Sequence, residues 1–364
     1  MSAHAASSPI KKKKCLRVRL FFVLCLMAVA CAPASGQQRL TLALTGDIMQ
    51  GTTYPDSVKG SHLPDNDGAD LFKAPLDILK NADLTVGNLE GTLLEKGGKV
   101  KKCQNPALCY AFRTPPQYVK NLTEAGYDFL SVANNHVNDF GAEGLRSTQH
   151  TLLQAGIHFA GLRGVCDSTV IERNGKRIGF CAFGHSKGTL SILNLEEARR
   201  TVSNLKEQCD LVVVSFHGGG EGTKFSHVPH KMENCFGEQR GDVEAFAHTC
   251  IDAGADLVYG HGPHVVRGIE LYKDRFIAYS LGNFCTPYRV NLSGKSGYAP
   301  VITVTIDDTG KFTEGRIHSF IQARGKGPQA DSTHVVVREI RNLTQADFPH
   351  TPLSISDEGM IRRK

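Results

Sequence analysis

None of the 11 cysteines forms a Cys-x-x-Cys pair, so the sequence gives no reason to expect a thiolate metal cluster. No internal repeat, low-complexity tract or linker-like stretch interrupts residues 38–340. That region therefore reads as one domain, and residues 341–364 as a polar, peripheral tail. Excess charge is missing from most of the chain as well. The formal net charge is +6, but residues 1–34 hold six Lys or Arg and no Asp or Glu, which leaves the remainder neutral. That balance gives no basic face and no reason to expect a nucleic-acid partner. The apolar run at residues 20–32 carries no charge, and it is too short for a transmembrane helix.

What is present at the N-terminus has three parts. Lys11, Lys12, Lys13, Lys14, Arg17 and Arg19 precede the apolar run, and Ala32-Pro33-Ala34 follows it. This is the layout of a secretory signal peptide with cleavage after Ala34. The expectation is an exported, periplasmic or extracellular protein. The alternatives are an uncleaved N-terminal anchor and lipidation at Cys31, for which Ala28 stands where a larger aliphatic would be expected. Eight cysteines lie beyond the leader, and export permits disulfides. Cys103 and Cys109 enclose a short loop and are the expected bridge, whereas Cys181 and Cys250 read as buried small hydrophobes.

Chemistry-bearing residues recur in one setting, just past an apolar strand. Residues 40–45 lead into Gly46-Asp47-Ile48-Met49, and residues 84–86 into Gly87-Asn88-Leu89-Glu90-Gly91. Residues 127–133 lead into Asn134-Asn135-His136, with Asp139 and Gly141 beyond. The β-branched run at 210–216 delivers His217-Gly218-Gly219-Gly220-Glu221, and 255–259 delivers Gly260-His261-Gly262-Pro263-His264. Taken singly, Asp47 or Asp139 could be a turn or helix cap, and Glu90 a solvated turn residue. Taken together they share the carboxyl rim of an α/β sheet, where ligands bind. Helical patterns at 74–81, 115–125, 142–155, 192–206 and 242–253 alternate with these strands. Asn174-Gly175 between two β-branched runs marks a hairpin. Residues 266–272 and 275–279 form another, and residues 301–306, 315–320 and 334–337 read as antiparallel strands. The fold class is therefore α/β with mixed sheets packed together.

The donor set is oxygen and imidazole without thiolate, which suits divalent Mn, Fe, Zn or Co. Two such ions sharing a carboxylate are the usual device for phosphoester hydrolysis.

Six ordered motifs, the five above and Ser280-Leu281-Gly282-Asn283-Phe284, make the chain similar to the CapA family of bacterial capsule or poly-γ-glutamate synthesis proteins over residues 40–325. That family resembles the calcineurin-like metallophosphoesterases. The resemblance implies two mixed β-sheets sandwiched between helical layers and one or two divalent ions, Mn, Fe or Zn. It implies metal ligation by Asp47, Glu90, Asn135, His217, His261 and His264, with Glu90 bridging. Asp47 and His264 would serve the first ion, and Asn135, His217 and His261 the second. His136, with Asp139, would act on the leaving group or the phosphoryl oxygen. Met49 departs from the Asp-x-His expected at the first motif, and a thioether is a poor ligand for such ions. Two functions follow: a metal-dependent, phosphoesterase-like hydrolase, or a non-catalytic binding or export factor with a vestigial site. The implied partners are an anionic envelope polymer or phosphoester substrate and a membrane-bound polymer synthesis complex.

Overall fold

The computed structural model describes residues 39–56, 62–102 and 109–364. The leader, with Cys31, and Cys103 lie outside the described residues. The chain runs β1 (Leu40–Ile48), α1 (Leu76–Asn81), β2 (Leu84–Leu89), α2 (Val119–Ala125), β3 (Phe129–Ser131), α3 (Gly141–Gln154) and β4 (His158–Ala160). Next come β5 (Ser168–Arg173), β6 (Lys176–Gly184), β7 (Leu190–Ser191), α4 (Leu195–Lys206), β8 (Leu211–His217), α5 (Val243–Asp252) and β9 (Leu257–His261). The last third holds β10 (Ile269–Tyr272), β11 (Arg275–Ala278), β12 (Asn283–Cys285), β13 (Val301–Ile306), β14 (Phe312–His318), α6 (Val335–Asp347), β15 (Leu353–Ile355) and β16 (Met360–Arg363).

Two mixed sheets result. The nine-stranded sheet has the order β15-β16-β14-β13-β1-β2-β3-β4, with β12 also pairing β1. The seven-stranded sheet has the order β10-β11-β9-β8-β6-β5, with β7 also pairing β6. Strands β1 to β4 run parallel, and so do β6, β8, β9 and β11. Alternation along each strand decides the layering. Leu42 and Leu44 of β1 share a buried cluster with Phe180, Val213 and Leu257 of the second sheet. Ala43 faces the other way, into a cluster with Leu79, Leu122 and Leu152 of α1, α2 and α3. Val212, Val214 and Val258 face Val202 of α4 and Phe246 of α5. The order is helices, sheet, sheet, helices, as the family resemblance implies.

Asn174 and Gly175 take φ of +52° and +69° between β5 and β6, the hairpin that Asn-Gly foretold. Asn194 and Asp242 cap α4 and α5 by accepting from Glu197 N and Ala245 N. Cys181 and Cys250 are free and buried, as expected, and Cys109 is disulfide-bonded.

The C-terminus corrects the sequence reading. Residues 334–337 are not a strand but the start of α6, and residues 341–364 are not peripheral. Val336, Val337, Ile340 and Leu343 join the core between the sheets, and β16, antiparallel to β14, and β15, antiparallel to β16, extend the larger sheet. Val335-Val336-Val337 has β-branched composition, which favours a strand locally. The apolar spacing that continues through Ile340 and Leu343 is helical, and burial of that face prevails.

Among the described residues, no helix is long and apolar enough to cross a membrane.

Candidate metal centre

Parallel strands deliver their carboxyl ends to one rim. In the larger sheet, register places Asp47 of β1 beside Asn88 of β2 and Asn283 of β12. In the smaller sheet, His217 of β8 lies beside His261 of β9. The two rims meet, so residues far apart in sequence converge.

Asp47 is fully buried. Its Oδ1 accepts from Asn88 Nδ2 at 2.8 Å and lies 3.3 Å from His261 Nδ1, while its Oδ2 lies 2.9 Å from His264 Nδ1. Glu90 Oε1 is 3.6 Å from His264 Nε2 and 3.9 Å from His217 Nε2. Ligand atoms of Glu90, His217 and His264 all lie within 4.8 Å of one another. The structure thus sets His217 and His264, assigned to different ions above, against the same carboxylate, and it sets His261 beside Asp47.

The His261–His264 loop owes its shape to two unusual torsions. Gly262 has φ +117°, and a Cβ there would stand 2.5 Å from Gly218 O. His264 has φ +55°, a left-handed conformation that costs a non-glycine residue on the order of 1 kcal/mol. The adjoining glycine loop is held from behind. Arg267, fully buried, donates from Nη1 and Nη2 to Glu233 Oε1 and Oε2 at 2.8 and 2.7 Å, and from Nε to Phe225 O at 2.8 Å. Glu233 Oε2 also accepts from Gly220 N, and Gly222 N donates to Pro263 O.

A second group lies beyond β3. His136 Nδ1 is 2.8 Å from Asp139 Oδ2, which also accepts from Phe112 N at 2.7 Å. Asp139 is therefore the partner of His136 and not the cap of α3, whose N-cap is Phe140. Asn134 ties this loop to the first rim, donating from Nδ2 to Asn88 Oδ1 at 3.0 Å and Leu89 O at 2.8 Å. The Oδ1 of Asn135 is buried without a hydrogen-bond partner.

The sequence reading missed three neighbours. Lys101, placed in an exposed basic loop, sets Nζ 2.6 Å from Asp139 Oδ1 and donates to Asn135 O at 3.2 Å. Arg240 pairs with Glu221 at 2.7 Å. The His185 ring lies tilted beside His217, with ring centroids 5.9 Å apart. A lysine in a Gly-Lys loop and an Arg outside the strand-end motifs carry no local signal that distinguishes them from surface residues, whereas His185 directly follows Gly184 at the end of β6, and that strand-end signal was there to be read.

Charge follows geometry. Burial pushes the Asp47 carboxyl up, but the imidazoles of His261 and His264 outweigh it and hold it well below the usual carboxylate range. Burial, with the charge of Asp47 added, pushes Glu90 well above its ordinary value. His264 is raised to about 10: burial opposes its charge, but Glu90 and Asp47 outweigh burial. Burial holds His217 and His136 below theirs.

The residues fit a divalent ion on one further observation. Glu90 Oε1, Asn135 Oδ1, and both ring nitrogens of His217 and of His261 are buried without hydrogen-bond partners. Buried polar atoms are rarely left so, and all are oxygen or imidazole donors of the kind that Mn, Fe and Zn accept.

Layered mixed sheets with an imidazole–carboxylate cluster where two strand rims meet define an α/β protein with a candidate metal centre. The chain belongs to the bacterial capsule synthesis protein family PGA_cap, matched over residues 41–288. It is 31% identical over 279 residues to the capsule biosynthesis protein CapA of Bacillus anthracis, covering 71% of this chain and 62% of that one. It is 28% identical over 262 residues to the PGA biosynthesis protein CapA of Bacillus subtilis, covering 67% and 63%. The chain thus spans a little under two thirds of these relatives' length. Among solved structures, a phosphatase from Mycoplasma pneumoniae aligns with 79% of this chain and 96% of its own at 16% identity, with a TM-score of 0.47.

Proposed function

We propose that this protein is an exported factor of capsule, poly-γ-glutamate or other envelope polymer synthesis. Its rim holds one or two divalent ions and acts on a phosphoester or anionic polymer. The observation that carries this reading is the cluster of unpartnered buried donors around Glu90, His217 and His264. Asp47, Glu90, Asn135, His217, His261 and His264 would hold the metal, which would supply Lewis-acid polarisation and an acidified water. The remaining chemistry belongs to the chain. Asn88 and His264 fix the two oxygens of Asp47. Asp139, whose other oxygen is held by Lys101, fixes His136 through Nδ1, so its other ring nitrogen is the one that would exchange a proton with the reacting group.

One observation favours the non-catalytic alternative. Met49 is buried at the third position of the first motif, where an imidazole would complete the Asp47 side. One experiment separates the readings. Purified protein is loaded with manganese, iron or zinc, its metal content is measured, and turnover of a p-nitrophenyl phosphodiester and of a γ-glutamyl polymer is followed beside His217→Ala. Metal-dependent turnover lost in the variant supports the hydrolase. Bound metal and polymer binding without turnover support the binding factor, and no metal under any loading condition refutes the centre. Export is tested by fractionating cells that express the full chain, where an uncleaved cytosolic product contradicts it.

A further inference from the structure

Away from the rim, helix α5 and strand β10 bring together a second set of ligand-type side chains. Glu244 and His248 stand one turn apart on α5, hence on one face, and Glu270 projects from β10. One ligand atom from each lies within 4.8 Å of the others. We propose that Glu244, His248 and Glu270 bind a zinc-class divalent ion that braces the fold. This site is independent of the rim and of the function proposed for it.

Each ligand is oriented from outside. The His248 ring stacks on Tyr272 at 3.7 Å and 8°, which fixes its plane. Tyr279 donates its hydroxyl to Glu270 Oε2 at 2.7 Å, and His230 Nδ1 lies 2.7 Å from Glu244 Oε2. Such partners hold first-sphere ligands in place in metal sites. The set, two carboxylates and one imidazole, leaves a fourth tetrahedral position for water. The side chains are 24%, 25% and 13% exposed for Glu244, His248 and Glu270, so an ion can enter from solvent. His248 Nε2 now lies 2.9 Å from Glu270 Oε2. The ion takes the place of the hydrogen between them: His248 coordinates through Nε2 as the neutral ring, with its proton on Nδ1.

The location gives the ion a purpose. Glu270 lies on the β10–β11 hairpin, which links the His261–His264 loop to Asn283, and Asn283 Nδ2 donates to His264 O at 3.2 Å. Fastening this hairpin to α5 holds both ends of that link.

The full chain is stripped with chelator and loaded with cobalt(II). Cobalt content and the visible bands of tetrahedral cobalt are then compared in the native protein, His248→Ala, Glu244→Gln and the rim variant His217→Ala/His264→Ala. Circular dichroism melts establish that each is folded. The rim variant is expected to keep about one equivalent with tetrahedral bands, and His248→Ala or Glu244→Gln to hold about one equivalent less than native protein. If the rim binds no metal at all, this equivalent is still present in native protein and missing from His248→Ala. Equal cobalt content and identical spectra in folded native, His248→Ala and Glu244→Gln proteins overturn the proposal.

Discussion

The Arg267–Glu233 pair offers the sharpest test of how the centre is built. Both side chains are essentially buried, and two parallel hydrogen bonds join them. Removing one partner strands the other's charge, which costs about 3–5 kcal/mol. Glu233→Met leaves the guanidinium with only Phe225 O, and Arg267→Met leaves the carboxylate with only Gly220 N. In the double variant both charges are gone, and the remaining loss is two orphaned backbone groups at about 1–3 kcal/mol each. The double loss therefore falls well short of the sum of the singles, with a coupling on the order of 3 kcal/mol. For a domain of this size, each kcal/mol lowers Tm by roughly 2 °C, so each single variant should melt about 6–10 °C lower. Calorimetry on the four proteins of the cycle measures this directly. Additive losses, or single losses under about 1 kcal/mol, would refute the claim that this pair clamps the glycine loop as a unit.

Gly262→Ala forces a Cβ against Gly218 O at a φ that alanine avoids. It should cost about 1–3 kcal/mol and weaken metal binding at the rim, and unchanged cobalt titration of the rim would contradict this. Ile340→Ala should cost about 2–5 kcal/mol, because α6 packs between the sheets, whereas an exposed tail would give a loss near zero in urea unfolding. His318 is lowered to about 4 by burial, with the Arg316 charge added. The unfolded state therefore takes up this proton first, so its contribution is present above about pH 6.5 and is lost as pH falls toward 4. Allowing for partial exposure, His318→Gln should remove on the order of 1 kcal/mol of acid lability across that window, read as the difference between melts at pH 7 and pH 4.5. Equal acid lability in both proteins would exclude His318 as its source.

Much of the architecture was legible because it depends on near neighbours. The β-branched run at 211–216 makes a strand buried on both faces wherever it lies in the sheet. Asn174-Gly175 makes its hairpin from its own torsions. Polar residues following each apolar strand are a local pattern, and they reach one rim because parallel strands share a direction. The exceptions have local causes too. Three consecutive valines hid the start of α6, since β-branched composition outweighed a helical period that only emerges over the next turn. Lys101 looked like loop charge because nothing nearby in sequence shows that Asp139 waits 2.6 Å away.

By itself, then, the sequence determined which residues stand at strand ends, that their donors are oxygen and imidazole, and that the family is that of the capsule synthesis proteins. Tertiary structure decided the pairings. Asp47 and His264 meet across 217 residues, and His217 Nε2 comes within 3.9 Å of Glu90 from the other sheet. The physical reason is that a strand fixes where its own end lies but not which strand end of another sheet faces it. That depends on how the two apolar faces pack, a property of side chains spread over the whole chain.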